Sequence, residues 1–187
     1  MIFVAVPSGS FRAVVRQMKP FLQPDVILIT ATKGIEAVTF RLMSQILADE
    51  VPAARIGVLS GPNLAKEIVN HSPTGTVIAS NDSELRHLVQ ETLRSDTFRV
   101  YANDDLVGVE VGGAVKNVLA IACGIAEGRG LGRSAHAALI TRGLAEITRL
   151  GVALGARADT FTGLSGLGDL VLTATGDLSR NRKVGLL

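Results

Sequence analysis

The stretch GVEVGGAVKNVLAIACGIA, residues 108–126, decides the fold of this chain. Nearly every residue in it is small or apolar, and the pattern predicts one long helix over Leu106–Glu127. A second helical pattern follows over Ser134–Leu154, and a glycine-rich turn at Gly163–Asp169 leads into a third, shorter helix. Because no strand pattern remains in this half, the sequence predicts an all-helical unit over residues 104–187.

Upstream of residue 104, short β-branched runs alternate with helical patterns. The predicted strands are Ile2–Val6, Val26–Thr30, Arg55–Leu59, Gly75–Ala79 and Phe98–Tyr101. Helices are predicted between them, notably over Glu36–Ala48 and over Ser83–Arg94, where Ser83 is the expected N-cap. Continuous apolar strands separated by helices are typical of a mostly parallel sheet that is covered on both faces. We therefore predict an α/β unit over residues 1–103.

The composition does not indicate a particular class of binding partner. The 187 residues are 47% hydrophobic with a net charge of +2, which does not indicate nucleic acid or a membrane surface. The single cysteine, Cys123, rules out a disulfide within the chain and fits a reducing compartment. The start of the chain lacks the basic region of a secretory signal, and the apolar run near Val118–Ala126 is too short to span a bilayer. We expect a cytoplasmic protein.

Lys116 is the most informative single residue. It shares one helical face with Val109, Gly113 and Ala120, and the Gly112-Gly113 pair costs about 1 kcal/mol per glycine in a helix interior. Such glycines indicate close approach by a backbone or a flat ligand. A lysine on that face is partly desolvated, which lowers its pKa toward use as a general acid or base. The alternative is a lysine that extends its ammonium to the surface, and on position alone that is the commoner case.

Three further segments are candidates for binding. Asp169 ends the run GLSGLGD and is either an N-cap or, if it lies near Lys116, a group that orients the ammonium. The run SRNRK at 179–183 is a helix start with Ser179 as N-cap, and it is either a phosphate site or a solvated basic turn. Lys33 and the SGPN turn at 60–63 follow predicted strands, where α/β sheets bind ligands.

Several common motifs are missing from the sequence. No G-x-G-x-x-G follows a strand, so the usual dinucleotide fingerprint is not found. No set of cysteines and histidines has metal-ligand spacing, and no nucleophile elbow is present.

Six blocks together resemble one family. They are VAVPS at 4–8, ATKGIE at 31–36, LSGPNLAKEI at 59–68, VGGAVKNVLAIACGI at 111–125, GLSGLGDLVLTAT at 163–175 and SRNRKVG at 179–185. In this order they are similar to the NAD(P)-dependent glycerol-3-phosphate dehydrogenases of the bacterial type. The resemblance implies a partial Rossmann-like dinucleotide-binding domain followed by a partial helical substrate domain, a 6-phosphogluconate-dehydrogenase-like arrangement.

The resemblance also implies an activity. Members interconvert sn-glycerol 3-phosphate and dihydroxyacetone phosphate with NAD or NADP and no metal, supplying the backbone of glycerophospholipids in the cytoplasm. The implied partner is this small phosphorylated substrate, with no nucleic acid and no membrane, and a homodimer is possible at full length.

Particular residues match the family's functional positions. Lys116 matches the catalytic lysine, the proton acceptor from the hydroxyl group. Substrate-binding positions are matched by Lys33, Gly61, Asn63, Lys116, Asp169, Ser179, Arg180 and Asn181. Cofactor contacts are matched by Lys33, Ala65 and Arg180. Serine or threonine is more usual where Asn63 stands.

The chain also departs from the family. Members begin with a strand and a G-x-G-x-x-G turn, and their helical domain continues beyond the point that matches residue 187. We therefore expect a fragment truncated at both ends and inactive alone, with its preference between NADH and NADPH left open. Two alternatives remain: a related lysine-dependent hydroxyacid dehydrogenase, against which the basic SRNR turn argues, and a non-catalytic relic of the fold.

Overall fold

The computed structural model describes residues 1–187 and contains one five-stranded sheet. Its strands are β1 (Ile2–Val4), β2 (Ile27–Thr30), β3 (Arg55–Ser60), β4 (Thr74–Ala79) and β5 (Phe98–Asn103), arranged in the order of the sequence. The pairs β1–β2, β2–β3 and β4–β5 are parallel, and β4 runs antiparallel to β3. The prediction of a mostly parallel sheet followed by helices is confirmed.

Eight α-helices accompany the sheet. They are α1 (Phe11–Met18), α2 (Met43–Glu50), α3 (Ala65–Val69), α4 (Ser83–Leu93), α5 (Leu106–Gly128), α6 (Gly132–Ala153), α7 (Asp169–Thr175) and α8 (Arg180–Leu186). A 3-10 turn at Ala158–Thr162 and a π-helical turn at Leu164–Gly168 precede α7. The predicted glycine-rich turn is therefore π-helical, a form that is frequent at functional sites.

Helix α5 is the central element of the fold. Its first turns pack Val109 against Val58 and Val77 of the sheet, and its later turns lie against α6, α7 and α8. The groups that closely approach Gly112 and Gly113, as the sequence predicts, both belong to the protein itself. A Cβ on Gly112 would lie 2.7 Å from the Ser165 carbonyl oxygen, and one on Gly113 would lie 2.6 Å from Ser60 Oγ.

The length of α5 corrects one expectation from the sequence. With 23 residues and a mean hydropathy of 1.6 in its apolar window, α5 is long and apolar enough to cross a membrane by these two criteria. Half of that window is buried inside the fold, and its buried residues include Glu110 and Lys116. The apolar run near Val118–Ala126, which the sequence indicates to be too short to span a bilayer, is therefore part of a longer apolar helix.

The helix predicted over Glu36–Ala48 begins only at Met43. Both carboxylate oxygens of Glu36 accept hydrogen bonds of 2.8 Å from Arg12, which fixes the start of this segment as a loop. Val38 and Phe40 then adopt positive φ angles of 64° and 56°, which no α-helix allows. Val38 is an exposed loop side chain, whereas Leu42 and the α2 residues Ile46 and Leu47 are buried, so the apolar spacing reports a helix only in the second half of the segment.

Helix α4 starts where the sequence predicts, but its cap is different. Asp82, not Ser83, occupies the N-cap position, and its Oδ1 accepts the Leu85 N–H at 3.1 Å. Aspartate and serine are equally good caps, so the pattern alone did not separate these neighbours.

Candidate active site

A buried carboxylate joins two lysines where the carboxyl ends of β2 and β3 meet α5 and α7. Lys33 follows β2, and its Nζ donates to Asp169 Oδ2 and, at 3.0 Å, to the carbonyl oxygen of Gly61. Lys116 lies on α5 and its Nζ donates to Asp169 Oδ1. The structure therefore brings Lys33, Gly61, Lys116 and Asp169 together. The N-cap interpretation of Asp169 is wrong, because its side chain binds the lysines and caps no helix.

Burial makes this group electrostatically unusual. Asp169 is 1% exposed and Lys116 is 6% exposed, so the Lys116 ammonium points inward rather than to the surface. Desolvation, the largest cause, and the charge of Lys33 together lower the pKa of Lys116 from its ordinary 10.5 to about 8, while Asp169 acts in the opposite direction. Lys116 is thus able to exchange a proton near neutral pH.

Thr173 is a member of the site that the sequence analysis did not single out. Lys116 Nζ donates to Thr173 Oγ1 at 2.7 Å, and the threonine hydroxyl donates to the backbone carbonyl of Asp169 at 2.7 Å. The spacing of four residues places Thr173 and Asp169 on the same face of α7. Because Asp169 was already a candidate, this spacing of four residues is the signal in the sequence that could have identified Thr173.

The start of α8 is bonded to α5 at the residue that follows Lys116. Ser179 is the N-cap, as predicted, and its Oγ accepts the Arg182 N–H at 3.1 Å. Asn181 Nδ2 donates to the side-chain oxygen of Asn117 at 2.8 Å. Since Asn117 directly follows Lys116, this bond ties the Ser179–Asn181 segment to the turn of α5 that carries the lysine. Asn117 was not singled out from the sequence.

The basic run at 179–183 is not one cluster of available cations. Arg182 is 8% exposed and donates to both carboxylate oxygens of Glu127, at 2.8 and 2.7 Å, and to Asp177 at 3.2 Å. Its charge is neutralised inside the protein, where it holds α8 to α5. Arg180 and Lys183 are exposed, so they are the cations of this run that remain available to an anion.

The loop after β3 holds the remaining predicted positions. Gly61 has a φ of +146°, which favours glycine, and a Cβ there would lie 3.2 Å from the Thr76 Cα. Asn63 Nδ2 donates to Thr76 Oγ1 at 2.8 Å, while Asn63 Oδ1 and Ser60 Oγ are buried with no partner. Ala65 is exposed at the start of α3. Asn63 is therefore held by the sheet rather than by the lysine pair.

The residues of this chain fit only one end of a dinucleotide. Lys33, 27% exposed in its side chain, places a cation at the carboxyl edge of the sheet, where such cofactors bind. The orphaned Ser60 Oγ and Asn63 Oδ1 on the neighbouring loop are polar atoms suited to a ligand. The glycine-rich turn that grips a pyrophosphate is not in the sequence. No group of three or more His, Cys, Asp or Glu side chains comes together as a metal site would require.

Two family models match the chain. Residues 1–86 match the model described as "NAD-dependent glycerol-3-phosphate dehydrogenase N-terminus", and residues 105–187 match the corresponding C-terminus model. The first match ends within α4 and the second begins one residue before α5, so residues 87–104, which include β5, lie between them.

Individual relatives point the same way. The chain is 53% identical over 189 residues to the glycerol-3-phosphate dehydrogenase (NAD(P)+) of Syntrophotalea carbinolica, covering all of this chain and 57% of that protein. It is 65% identical over 154 residues to that of Methylibium petroleiphilum, covering 82% of this chain and 46% of that protein. The crystal structure of the Coxiella burnetii glycerol-3-phosphate dehydrogenase superposes with a TM-score of 0.95 at 46% identity, covering 99% of this chain and 57% of that one. The chain thus spans about half the length of the relatives it matches.

Proposed function

Because this chain belongs to the NAD-dependent glycerol-3-phosphate dehydrogenase family, we propose that it carries the substrate site of an enzyme interconverting sn-glycerol 3-phosphate and dihydroxyacetone phosphate with NAD(P). The observation that carries the proposal is the buried Lys116–Asp169–Lys33 group. A desolvated lysine held by a carboxylate at the carboxyl edge of an α/β sheet is suited to proton transfer on a small alcohol.

Lys116 is the proposed proton acceptor. In its neutral form it takes the proton of the substrate hydroxyl, and in the reverse direction its ammonium returns that proton to the carbonyl oxygen. Asp169 and Thr173 fix the direction in which the Lys116 Nζ points. NAD(P), when bound, supplies the acceptor for the hydride that leaves the same substrate carbon.

Lys33 and the neighbouring loops are proposed to orient the substrate. The Lys33 ammonium is anchored by Asp169 and the Gly61 carbonyl, so Lys33 presents a fixed positive charge to the reacting oxygen of the substrate. Asn63 provides a buried amide oxygen with no partner in the protein, which suits a substrate hydroxyl. Holding both reacting groups in place is a large part of what such a site supplies.

The phosphoryl group of the substrate is assigned to the start of α8. Arg180 is exposed, and the Asn181–Asn117 hydrogen bond ties its segment to the turn of α5 that carries Lys116. We assign Ser179, Arg180 and Asn181 to the substrate on this basis, and Lys33, Ala65 and Arg180 to the cofactor by their match to the family. An arginine is well suited to bind a phosphate through two parallel hydrogen bonds.

Wider proposals follow from the family. We propose that residues 1–103 form part of the dinucleotide-binding domain and residues 104–187 part of the substrate domain. At full length the protein is proposed to act in the cytoplasm as a homodimer and to supply glycerol 3-phosphate to phospholipid synthesis.

The test is an activity assay on a chimera in which these 187 residues replace the matching segment of the Coxiella burnetii enzyme. Oxidation of NADH and NADPH is followed with dihydroxyacetone phosphate as substrate. We expect turnover, and we expect Lys116→Ala to reduce it by about 10² to 10⁴-fold, the usual contribution of a general acid or base. Lys19→Ala, which removes an exposed lysine just after α1, is the matched control and should change little. The isolated chain should be inactive, since the glycine-rich turn is not in its sequence.

Other outcomes would favour the alternatives. Equal rates for the Lys116→Ala and Lys19→Ala chimeras would contradict the role of Lys116. Activity on 3-hydroxy acids without activity on the phosphorylated ketone would indicate a hydroxyacid dehydrogenase. Failure of the chimera to bind either cofactor would indicate a non-catalytic relic.

A further inference from the structure

Glu110 is a buried acidic residue that takes no part in the site described above. It lies on α5, is 6% exposed, and its carboxylate accepts the backbone N–H of Ser44 at 2.9 Å and also the Ser44 hydroxyl. Ser44 is in the first turn of α2, where backbone amides have no partner within the helix. The N-cap of α2 is Leu42, whose side chain has no acceptor, so Glu110 satisfies this helix start from another element.

The Glu110–Ser44 contact joins α2 to α5, and the position of the lysine pair depends on this α2–α5 seam. Lys33 lies in the segment that leads from β2 to α2, and Lys116 lies six residues after Glu110 on α5. On the same seam Leu42 packs into one buried cluster with Val111. A shift of α2 away from α5 would therefore carry the Lys33 segment away from Asp169 and Lys116.

No positive charge accompanies Glu110. Burial raises the pKa of Glu110 to about 7, and the only groups that oppose this are the hydroxyl and backbone amides of Ser44 and Met43. The charged groups that line the cavity beside Ser44 are each bound elsewhere: Asp82 to Arg55, Asp104 to Arg157, and Asp105 to Gly108, Arg157 and Thr160. A carboxylate is costly to bury without a counter-ion, so stability alone is a poor reason for its presence.

We infer that Glu110 is a positioning residue that holds the first turn of α2 against α5. It thereby keeps Lys33 in contact with Asp169, and it keeps water away from Lys116. The direction of its effect follows from the causes that set the Lys116 pKa. Desolvation and the Lys33 charge both lower that pKa, whereas Asp169 raises it. Loosening the seam admits water and moves Lys33 away, while Asp169 on α7 stays beside Lys116. The pKa of Lys116 should therefore rise.

The experiment is an NMR titration of the purified 187-residue chain labelled with carbon-13 at lysine Cε. The Lys116 resonance is identified by its loss in Lys116→Arg. We expect Lys116 to titrate near the value of about 8 in the unchanged protein, and Glu110→Gln to move it upward toward 10.5. Glu91→Gln, at an exposed glutamate on α4, should leave it in place.

Substitutions of Ser44 provide a second, independent test in the same titration. Ser44→Ala removes the hydroxyl donor and keeps the backbone amide, so it should shift the Lys116 pKa upward by less than Glu110→Gln. Ser44→Thr restores the hydroxyl and should restore the original value. This test decides the question if Glu110→Gln does not fold.

The outcomes separate this inference from the proposed function on which it rests. Lys116 titrating near 8 in the unchanged protein and in every folded variant would overturn the role of Glu110 and leave the proposed base intact. Lys116 titrating near its ordinary value in the unchanged protein would contradict both. A loss of thermal stability with no change in the Lys116 pKa would mean that Glu110 only stabilises the fold.

Discussion

Asp169 is the residue on which the site depends, because its single carboxylate accepts hydrogen bonds from two ammonium groups. Its burial, at 1% exposed, keeps water from screening either pair. The sequence predicted Lys116, Lys33 and Asp169 through their places after strands, on a small-residue helix face and after a glycine-rich turn. It did not predict that one carboxylate would join both lysines, since the three residues lie up to 136 positions apart in the chain.

The pH dependence of the reaction should report the Lys116 pKa. The neutral amine is the base, so kcat/KM for glycerol 3-phosphate oxidation should rise about tenfold per pH unit below about pH 8 and level off above it. Reduction of the ketone needs the ammonium, so its rate should fall above the same pH. Rates of the chimera from about pH 6 to about pH 10 check this, and an oxidation rate that does not change across pH 8 would contradict it.

Thr173 should affect turnover more than substrate binding. Thr173→Val keeps the shape of the side chain but removes the oxygen that accepts from Lys116 Nζ at 2.7 Å. Loss of one hydrogen bond to a charged group costs about 1.5–3 kcal/mol, so we expect kcat to fall roughly 10 to 100-fold with little change in KM. Thr173→Ser retains the oxygen and should retain most of the activity. Equal losses in the two variants would contradict a specific role of the Thr173 hydroxyl oxygen.

Among the elements, the crossing of α5 and α8 illustrates how local sequence sets the site. Gly124 and Gly185 bring the two backbones into direct contact, because a Cβ on either would overlap the other helix. The close crossing lets Arg182 reach Glu127 and Asn181 reach Asn117. The sequence predicted the helix start at Ser179 but not this crossing, because nothing in the spacing of SRNRK tells which of its cations turns inward.

Enlarging Gly124 should separate the two helices. We expect Gly124→Ala to destabilise the protein by about 1–3 kcal/mol, the usual cost of overpacking a close contact. The control is Gly9→Ala, where nothing lies within 4 Å of the added Cβ. Urea unfolding of both variants provides the comparison, and equal midpoints would show that α8 is not packed on α5 as described.

For the whole molecule, the sequence was sufficient for the fold class and insufficient for the details of the sheet. Apolar runs and intervening helices predicted a mostly parallel sheet followed by helices. They did not predict the reversal of β4, because an apolar strand buried on both faces has the same pattern in either direction. The helix predicted from Glu36 failed for another reason, since the pairing of Glu36 with Arg12 depends on residues 24 positions apart.

We propose that the lysine pair and the start of α8 form a site for a small phosphorylated substrate. The most direct measurement is calorimetric titration of dihydroxyacetone phosphate into the purified 187-residue chain, with Arg180→Ala and, as a control, Arg133→Ala at another exposed arginine. We expect binding to the unchanged chain, unaltered binding in the control, and a loss of affinity of at least about tenfold in Arg180→Ala, as removal of a charged hydrogen bond implies. Absence of binding by the folded chain, or equal affinity in all three proteins, would contradict it.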